Sequence, residues 1–109
     1  MEMQLPRPIA AFVQAENSGD VDSMSDCFVP GATVRDDGHF YEGLPAIKAW
    51  TARMKKKFNH MVTPLEIHTS DGTTTLKARL SGEFPGSPVI ADFHFALVDD
   101  QIAALQIRS

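Results

Sequence analysis

Three residues that lie close together in the chain could transfer protons. Asp36 follows the short β-branched segment 32–35, and His39 and Tyr41 come just after it. A carboxylate can take a proton from a substrate and return it, with a histidine or tyrosine as its helper. The run Asp36-Asp37-Gly38 is also a good turn sequence, in which an exposed aspartate needs no function. The residues therefore indicate either general acid–base chemistry or a surface turn.

Other kinds of catalytic site find little support in the sequence. Cys27 is the single cysteine and lies on the apolar side of a predicted short helix without a basic neighbour, which is typical of a buried, inert thiol. The four histidines show no metal-ligand spacing, and Gly38 and Gly43 are isolated rather than part of a phosphate-binding loop. We therefore expect no metal and no cofactor.

The composition indicates one globular domain, residues 1–109. The chain is 43% hydrophobic and 22% charged, which is enough for a core and too apolar for disorder. A net charge of −4 argues against a nucleic-acid partner, because such binding depends on clustered cations. No segment approaches the roughly 20 apolar residues that cross a bilayer. With a lone cysteine, these features predict a cytoplasmic protein with no membrane partner.

Three helices are predicted in the first half of the chain. Two prolines precede apolar residues at helical spacing and Gly19 follows them, which predicts a helix over 7–18. Asp20 is a good N-cap for a second, short helix. The third helix begins after Gly43 and carries apolar residues three or four positions apart, namely Ile47, Trp50, Met54 and Phe58. The lysine run 55–57 falls in its last turns, where cations favour a solvated helix end.

After residue 60 the apolar period changes to two, which predicts strands. Four segments have this pattern and are separated by Asp-Gly, Pro-Gly and Asp-Asp turns: 61–69, 74–84, 89–98 and 102–108. A bend over 32–41 adds a small hairpin. Helices followed by strands predict an α+β fold in which the last half is an antiparallel meander.

The segment 89–98 is apolar on both faces, so we expect it to be a central strand. Ala91 and Phe93 alternate along it with Asp92 and His94. We expect the first pair to face the helices and the second pair to face outward. An outer face that is partly apolar packs most readily on a second copy of the chain, which predicts a homodimer through the sheet.

Three segments resemble a known family. They are 12–20, which ends in Asn-Ser-Gly-Asp; 27–36, which contains Ala-Thr-Val; and 41–47, which contains Gly-Leu-Pro-Ala-Ile. In this order they are similar to the nuclear transport factor 2-like superfamily, in its SnoaL-like polyketide cyclase and steroid delta-isomerase branch. The resemblance covers nearly the whole chain. It implies a cone-shaped fold with three N-terminal helices packed on a curved antiparallel sheet, whereas activity varies widely on such folds.

The resemblance also implies a pocket in the cone that admits a small apolar molecule. Its lining is expected from Phe12, Trp50 and Met54 on the helices and from Ala91 and Phe93 on the central strand. Ligand sites of this kind are mostly apolar with few polar groups. Aromatic residues at helical spacing are equally typical of a filled core, so that alternative stays open.

Asp36 matches the position at which the steroid isomerases of this branch place the aspartate that moves a proton. Desolvation beside an apolar cone would raise its pKa, which suits a general base. The steroid isomerases also stabilise the enolate with a tyrosine and a protonated aspartic acid. The matching positions here hold Phe12 and Ala91. Because losing one such donor costs about 10²–10³ in rate, the usual steroid isomerase route is disfavoured.

We therefore expect a cofactor-independent isomerase, cyclase or dehydratase that acts on a small apolar or polyketide-like molecule. Asp36 would be the general acid or base, helped by Tyr41 or a histidine such as His39. The alternative is a non-enzymatic domain that binds a ligand in the same pocket. A protein-interaction adaptor has the least support, because no exposed partner stripe is visible. Polar groups that converge on a free volume would favour chemistry over binding.

Overall fold

The computed structural model describes residues 4–108 and contains three α-helices and six strands. The helices are α1 (Arg7–Ser18), α2 (Met24–Cys27) and α3 (Leu44–Phe58). The strands are β1 (Phe28–Asp36), β2 (His39–Glu42), β3 (Met61–Ser70), β4 (Thr73–Ser81), β5 (Val89–Val98) and β6 (Gln101–Arg108). The predicted α+β class and element order are confirmed, and no helix within 4–108 is long and apolar enough to cross a membrane.

Helix α1 begins and ends as its sequence predicts. Pro8 lies in its first turn, where the missing N–H has no intrahelical partner to lose. Gly19 takes the left-handed conformation with φ of 77° and donates its N–H to the Ala15 carbonyl at 2.9 Å. A left-handed residue at this position costs least when it is glycine, so the helix ends there.

The second helical segment differs from the prediction. It is a 3₁₀ turn over Val21–Ser23 followed by a single α-helical turn, and Asp20 forms no side-chain cap. The Asp20 carboxylate instead accepts a hydrogen bond from the Ser23 hydroxyl at 2.8 Å. Asp20 therefore occupies the N-cap position as predicted, but its side chain forms no cap, because the serine three positions on takes the carboxylate oxygen. Met24 and Cys27 are buried as expected from the apolar face.

The six strands form one mixed sheet in the order β2-β1-β6-β5-β4-β3. The predicted hairpin and meander are antiparallel, whereas β1 pairs with β6 in parallel. These pairings make β2 and β3 run in the same direction, and strands with that relation need a crossover, which α3 supplies. The sheet therefore contains one parallel pair, β1 with β6. The hydrophobic pattern of each single strand does not reveal which strand it pairs with.

The inner face of the sheet packs against the helices. On β5 the residues Ala91, Phe93 and Phe95 are buried, as predicted, and Asp92 and His94 alternate with them on the opposite face. Apolar side chains from all three helices and the inner faces of the strands form one contiguous core. This packing supports the residues at the open end of the cone.

The outer face of the sheet is a mixed surface. It carries two half-exposed apolar side chains, Ile90 (50% exposed) and Phe40 (49% exposed), among polar residues. The His94 ring nitrogen Nδ1 lies 3.0 Å from the Thr75 hydroxyl on this face. Self-association through this surface stays a prediction.

Candidate active site

Asp36 is the last residue of β1 and not part of the turn that follows. The turn residues are Asp37 and Gly38, which both have positive φ, 50° and 82°. Two successive positive φ values form the two-residue hairpin turn that matches the twist of the strands, and Asp-Gly is a preferred sequence for it. Asp36 therefore lies in the sheet, paired with His39 on one side and Ile107 on the other.

The side chain of Asp36 borders two spaces that share lining residues. The first, which we call the inner cavity, has a volume of about 220 Å³. Its walls are mostly apolar, and its lining residues are Glu16, Asp36, Trp50, Met54, Phe58, His60, Val62, Leu80, Phe84, Phe93 and Ile107. Three of these residues are titratable, so carboxylate and imidazole groups converge on a largely apolar volume.

The second space, which we call the outer cleft, is a wider opening of about 950 Å³. It shares five residues with the inner cavity: Asp36, Met54, Phe58, Leu80 and Ile107. The other lining residues are mainly polar or charged and include Arg35, Asp37, His39, Tyr41, Arg53, Lys57, Gln106 and Arg108. A ligand in the inner cavity would therefore pass Asp36 on its way in.

Burial raises the pKa of Asp36 above the ordinary aspartate value, because the ionised form loses hydration. The Trp50 indole Nε1 donates a hydrogen bond to Asp36 Oδ2 at 3.3 Å, and this bond lowers the pKa in partial compensation. The charge of Asp37 raises the pKa further, while His39 and His60 lower it. The net direction is upward, which is the direction a general base for neutral pH requires.

A second polar group lies in the inner cavity. Glu16 from α1 and His60, which precedes β3, are both buried, and Glu16 Oε2 lies 2.6 Å from His60 Nε2. The other ring nitrogen, Nδ1, is buried without a hydrogen-bond partner among the described residues. The pair thus presents a carboxylate and an imidazole to the same volume as Asp36.

Three further contacts hold this pair in position. Asn17 clamps α1 to β3, since its amide donates to the Val62 carbonyl at 3.0 Å and accepts from the Val62 N–H at 2.7 Å. Lys55 Nζ donates to the His60 carbonyl at 2.6 Å. The lysine run is therefore not only a solvated helix end, because its first member ties α3 to the residue that pairs with Glu16.

The sequence pattern did not single out His60 among the four histidines, and Glu16 was missed as a site residue. A signal for Glu16 is present in the sequence. It falls at helical spacing from Ile9, Phe12 and Val13, on a face that is otherwise apolar. A carboxylate is almost never fully buried without a partner, so a glutamate on such a face points to a paired group inside the fold.

The predicted pocket residues fall into three groups. Trp50, Met54 and Phe93 line the inner cavity, and Ala91 lines the outer cleft. Phe12 lines neither space and is 0% exposed. The reason is that the rings of Phe28, Phe93 and Phe95 surround it edge-on at centroid distances of 5.9, 6.1 and 5.5 Å.

The predicted helpers of Asp36 lie on β2 at the outer cleft. Tyr41 stacks on Trp50 with ring centroids 5.7 Å apart, and its hydroxyl accepts a hydrogen bond from Arg53 at 3.2 Å. His39 is exposed and pairs across the hairpin with Asp36. Both residues border the cleft, while the histidine that shares the inner cavity with Asp36 is His60.

Four other polar side chains line neither the inner cavity nor the outer cleft. His68 and Arg79 are exposed on β3 and β4, and Asp92 and His94 lie on the outer face. Within 4–108, no three His, Cys, Asp or Glu side chains are arranged to hold a metal ion. Burial raises the pKa of the Cys27 thiol to about 11, so the reactive thiolate is scarce at neutral pH.

Comparisons with known proteins agree with this architecture. The SnoaL-like domain family matches residues 9–105. A Sinorhizobium meliloti protein that is provisionally named a polyketide cyclase is 35% identical, with a TM-score of 0.91 and 95% of each chain covered. No curated protein sequence matches the chain significantly.

Two more distant structures share the fold. A Catenulispora acidiphila protein with a ketosteroid isomerase-like fold, solved in complex with trimethylamine, is 19% identical with a TM-score of 0.85, covering 97% of this chain and 87% of that one. A Jannaschia protein provisionally named a SnoaL-like polyketide cyclase is 18% identical with a TM-score of 0.78, covering 99% and 90%. The described helices and sheet therefore form the cone of nuclear transport factor 2-like proteins.

Proposed function

The chain belongs to the SnoaL-like domain family, and on that premise we propose that it is a cofactor-independent enzyme that moves protons on a small apolar or polyketide-like molecule. The reaction class is isomerisation, cyclisation or dehydration, with Asp36 as the general base. The observation that carries the proposal is the position of Asp36, which faces a mostly apolar cavity and has a pKa raised by burial. The name given to the 35% identical relative supports the substrate class.

The geometry of the carboxylate supports a role as base. Trp50 Nε1 bonds to Oδ2, and among residues 4–108 no other hydrogen bond reaches the Asp36 side chain. Oδ1 therefore keeps its lone pairs for a substrate proton. A carboxylate in an apolar cavity is a stronger base than one in water, and the tryptophan fixes its orientation before the substrate arrives.

The Glu16–His60 pair supports chemistry over simple binding. A base that removes a proton needs a partner to supply one at the second site of an isomerisation or to the leaving hydroxyl of a dehydration. The imidazole of His60 borders the same cavity as Asp36 and is oriented by a carboxylate 2.6 Å from Nε2. We assign the proton donor to this pair in preference to His39 and Tyr41, which lie at the outer cleft.

The usual steroid isomerase arrangement is not part of the proposal. Its two enolate donors would lie at Phe12 and Ala91, and neither side chain can donate a hydrogen bond. Phe12 is in addition enclosed by aromatic rings in the core. The donor that stabilises charge on this substrate must differ from that of the steroid isomerases.

One observation favours the rival function of ligand binding without catalysis. The residues that line the inner cavity include no hydroxyl or side-chain amide, so few neutral donors are available to a reacting oxygen. A cavity of this kind can hold an apolar molecule by burial alone. The two functions make different predictions for the same variant of Asp36.

A base-catalysed ring opening tests the proposal without knowledge of the substrate. Nitrobenzisoxazole loses the proton at its ring carbon to a base, the N–O bond breaks, and a coloured cyanophenolate forms. We expect the protein to accelerate this reaction and Asp36→Asn to remove at least about 10² of the acceleration, the lower range for a positioned base. The rate should rise with pH as Asp36 ionises.

Asp71→Asn is the matched control, because it removes an exposed carboxylate from the equivalent Asp-Gly turn after β3, which lines neither the inner cavity nor the outer cleft. The control should keep the activity, since asparagine also tolerates the left-handed conformation of the turn. Equal activity of the wild type and Asp36→Asn would refute the role of Asp36 as base and favour the binding domain.

A further inference from the structure

The outer cleft concentrates positive charge on an acidic protein. Arg35 of β1, Arg53 and Lys57 of α3 and Arg108 of β6 all line it, which is four of the ten Lys and Arg residues in a chain of net charge −4. We call these four side chains the cationic rim. Only two carboxyl residues, Asp36 and Asp37, line the same cleft. Cations therefore outnumber carboxylates along the cleft. Arg53 and Lys57 are the two that lie beside the lining of the inner cavity, because Arg35 and Arg108 lie on the outer face of the sheet, in register with Gln106 and Asp92.

No carboxylate neutralises the cationic rim within the described part of the chain. The ion pairs there involve Arg7, Lys48 and His60 instead. Arg53 donates to the Tyr41 hydroxyl at 3.2 Å. None of the four rim side chains therefore forms an ion pair with a described carboxylate.

Aromatic faces hold three members of the rim in place, and the Arg53 guanidinium lies 5.7 Å from the Tyr41 ring centroid. The Arg35 guanidinium lies 4.8 Å from the Phe40 ring centroid, and Lys57 Nζ lies 5.1 Å from that of Phe58. A cation–π contact uses the face of a ring and not a hydrogen-bond acceptor. The N–H donors of these side chains therefore remain available to a further partner.

Helix α3 connects this rim to the apolar cavity. Trp50, Met54 and Phe58 recur every four residues and line the inner cavity. Arg53 and Lys57 recur at the same spacing, one position earlier, and line the outer cleft. Residues four apart lie on one side of a helix, so α3 presents an apolar stripe and a cationic stripe side by side. A ligand that contacts both stripes must have an apolar body and an anionic group.

We propose that the molecule bound here is an organic acid whose apolar body fills the inner cavity and whose carboxylate is held by the cationic rim, chiefly by Arg53 and Lys57. This assignment rests on the proposed function, since it names the substrate class of the same pocket. A guanidinium offers two parallel donors to a carboxylate, and an ammonium one step along the helix adds a second charge. A positive entrance on a negative protein also steers anions to the pocket.

The test compares three probes that share one apolar body and differ in charge. Phenylbutyrate, phenylbutyramide and phenylbutylamine are each titrated into the ¹⁵N-labelled protein while amide chemical shifts are followed. We expect the acid to bind about tenfold more tightly than the amide, because two exposed charge pairs are together worth about one power of ten in affinity. The amine should bind most weakly, and added salt should weaken the acid alone.

The double variant Arg53→Gln/Lys57→Gln should reduce the preference for the acid to about twofold. Arg79→Gln/Lys77→Gln is the matched control, because it removes the same two charges from exposed positions on β4 that line neither the inner cavity nor the outer cleft. The control should keep the full preference. Both pairs lie at exposed positions, so the variants should fold.

Several results would overturn the proposal. They are equal affinity for acid and amide, strongest binding of the amine, loss of the preference in the control, or no binding of the acid at millimolar concentration. The outcome is separable from that of the proposed function. A preference for the acid in a protein that fails to open nitrobenzisoxazole would leave the ligand class intact and remove the catalysis.

Discussion

The two ends of the concave face are built from similar residues and have different structures. Under α1 the face is filled, since Phe12 packs against three aromatic rings at 5.5 to 6.1 Å. Under α3 the face is open, and Trp50, Met54 and Phe58 border a cavity instead. Phe93 lies at the boundary, because it contacts Phe12 and also lines the cavity. Apolar composition alone therefore does not decide which end becomes a site.

The polar residues mark the difference between the two ends. Asp36, Glu16 and His60 all border the inner cavity, whereas Phe12 at the filled end packs against the rings of Phe28, Phe93 and Phe95. Buried carboxylates and imidazoles need a partner or space for one. A cavity with paired and unpaired polar groups is thus the part of this core that is organised for a ligand.

The loop after β4 closes the far side of the inner cavity. Glu83 donates its N–H to the Phe58 carbonyl at 2.7 Å, and the Phe84 ring contacts the Phe58 ring at 5.8 Å. A Cβ on Gly82 would lie 2.8 Å from that Phe58 carbonyl oxygen. The absence of a side chain at Gly82 lets the loop reach the end of α3 and complete the cavity wall.

The largest effect is expected from truncation at the filled end. Phe12→Ala should lower the free energy of unfolding by about 3–5 kcal/mol, because it leaves a hole in a close-packed cluster. Met54→Ala at the open end should cost only about 1 kcal/mol, since Met54 is half-buried beside a volume that already exists. Urea unfolding of both variants measures the contrast. Similar losses for the two would mean that the two ends are packed alike.

Gly82→Ala should have the next largest effect, about 1–3 kcal/mol, as is typical when extra atoms enter a packed site. The added methyl group must displace the loop from the Phe58 carbonyl, which would open the cavity wall. Gly31→Ala is the control, because a Cβ there meets nothing within 4 Å. Urea unfolding measures the loss of stability, and the phenylbutyrate titration measures the effect of the opened wall on ligand binding. If Gly82→Ala behaves like Gly31→Ala, the loop does not depend on this close approach.

Asp36→Asn should change the free energy of unfolding least of the three. At neutral pH it should raise that free energy, whereas the other variants lower it. Because the pKa of Asp36 is raised in the folded state, mainly by burial, ionisation costs stability. That cost is complete above the folded-state pKa and disappears as the pH falls below the unfolded value of about 3.9. The variant should therefore be more stable than the wild type at pH 7 and match it near pH 3. A variant less stable than the wild type at pH 7 would contradict the sign.

Much of the fold could be predicted from the sequence, because local patterns carry it. Helix 7–18 is bounded by prolines and Gly19, and two of the three connections in the meander are two-residue turns. The parallel pairing of β1 with β6 could not be predicted, since it depends on how α3 crosses the sheet. Asp20 occupies the N-cap position as predicted, but its side chain forms no cap, because a nearby serine takes the carboxylate.

The candidate site could be predicted only in part. Asp36, Trp50, Met54 and Phe93 do lie around one cavity, because strand alternation and helical spacing fix which way they face. Spacing does not reveal depth, so Phe12 could not be separated from the lining residues. The pairing of Glu16 with a histidine 44 positions away is a tertiary contact that no local pattern contains.

The central claim is that Asp36 is a desolvated carboxylate at the mouth of a ligand cavity. Its pKa can be measured directly by carboxyl-detected ¹³C NMR titration, with Asp36→Asn to assign the resonance. We predict a value above the roughly 3.9 of a free aspartate, because burial outweighs the hydrogen bond from Trp50. A value at or below 3.9 would mean that the group is solvated. That result would contradict the assignment of Asp36 as the base.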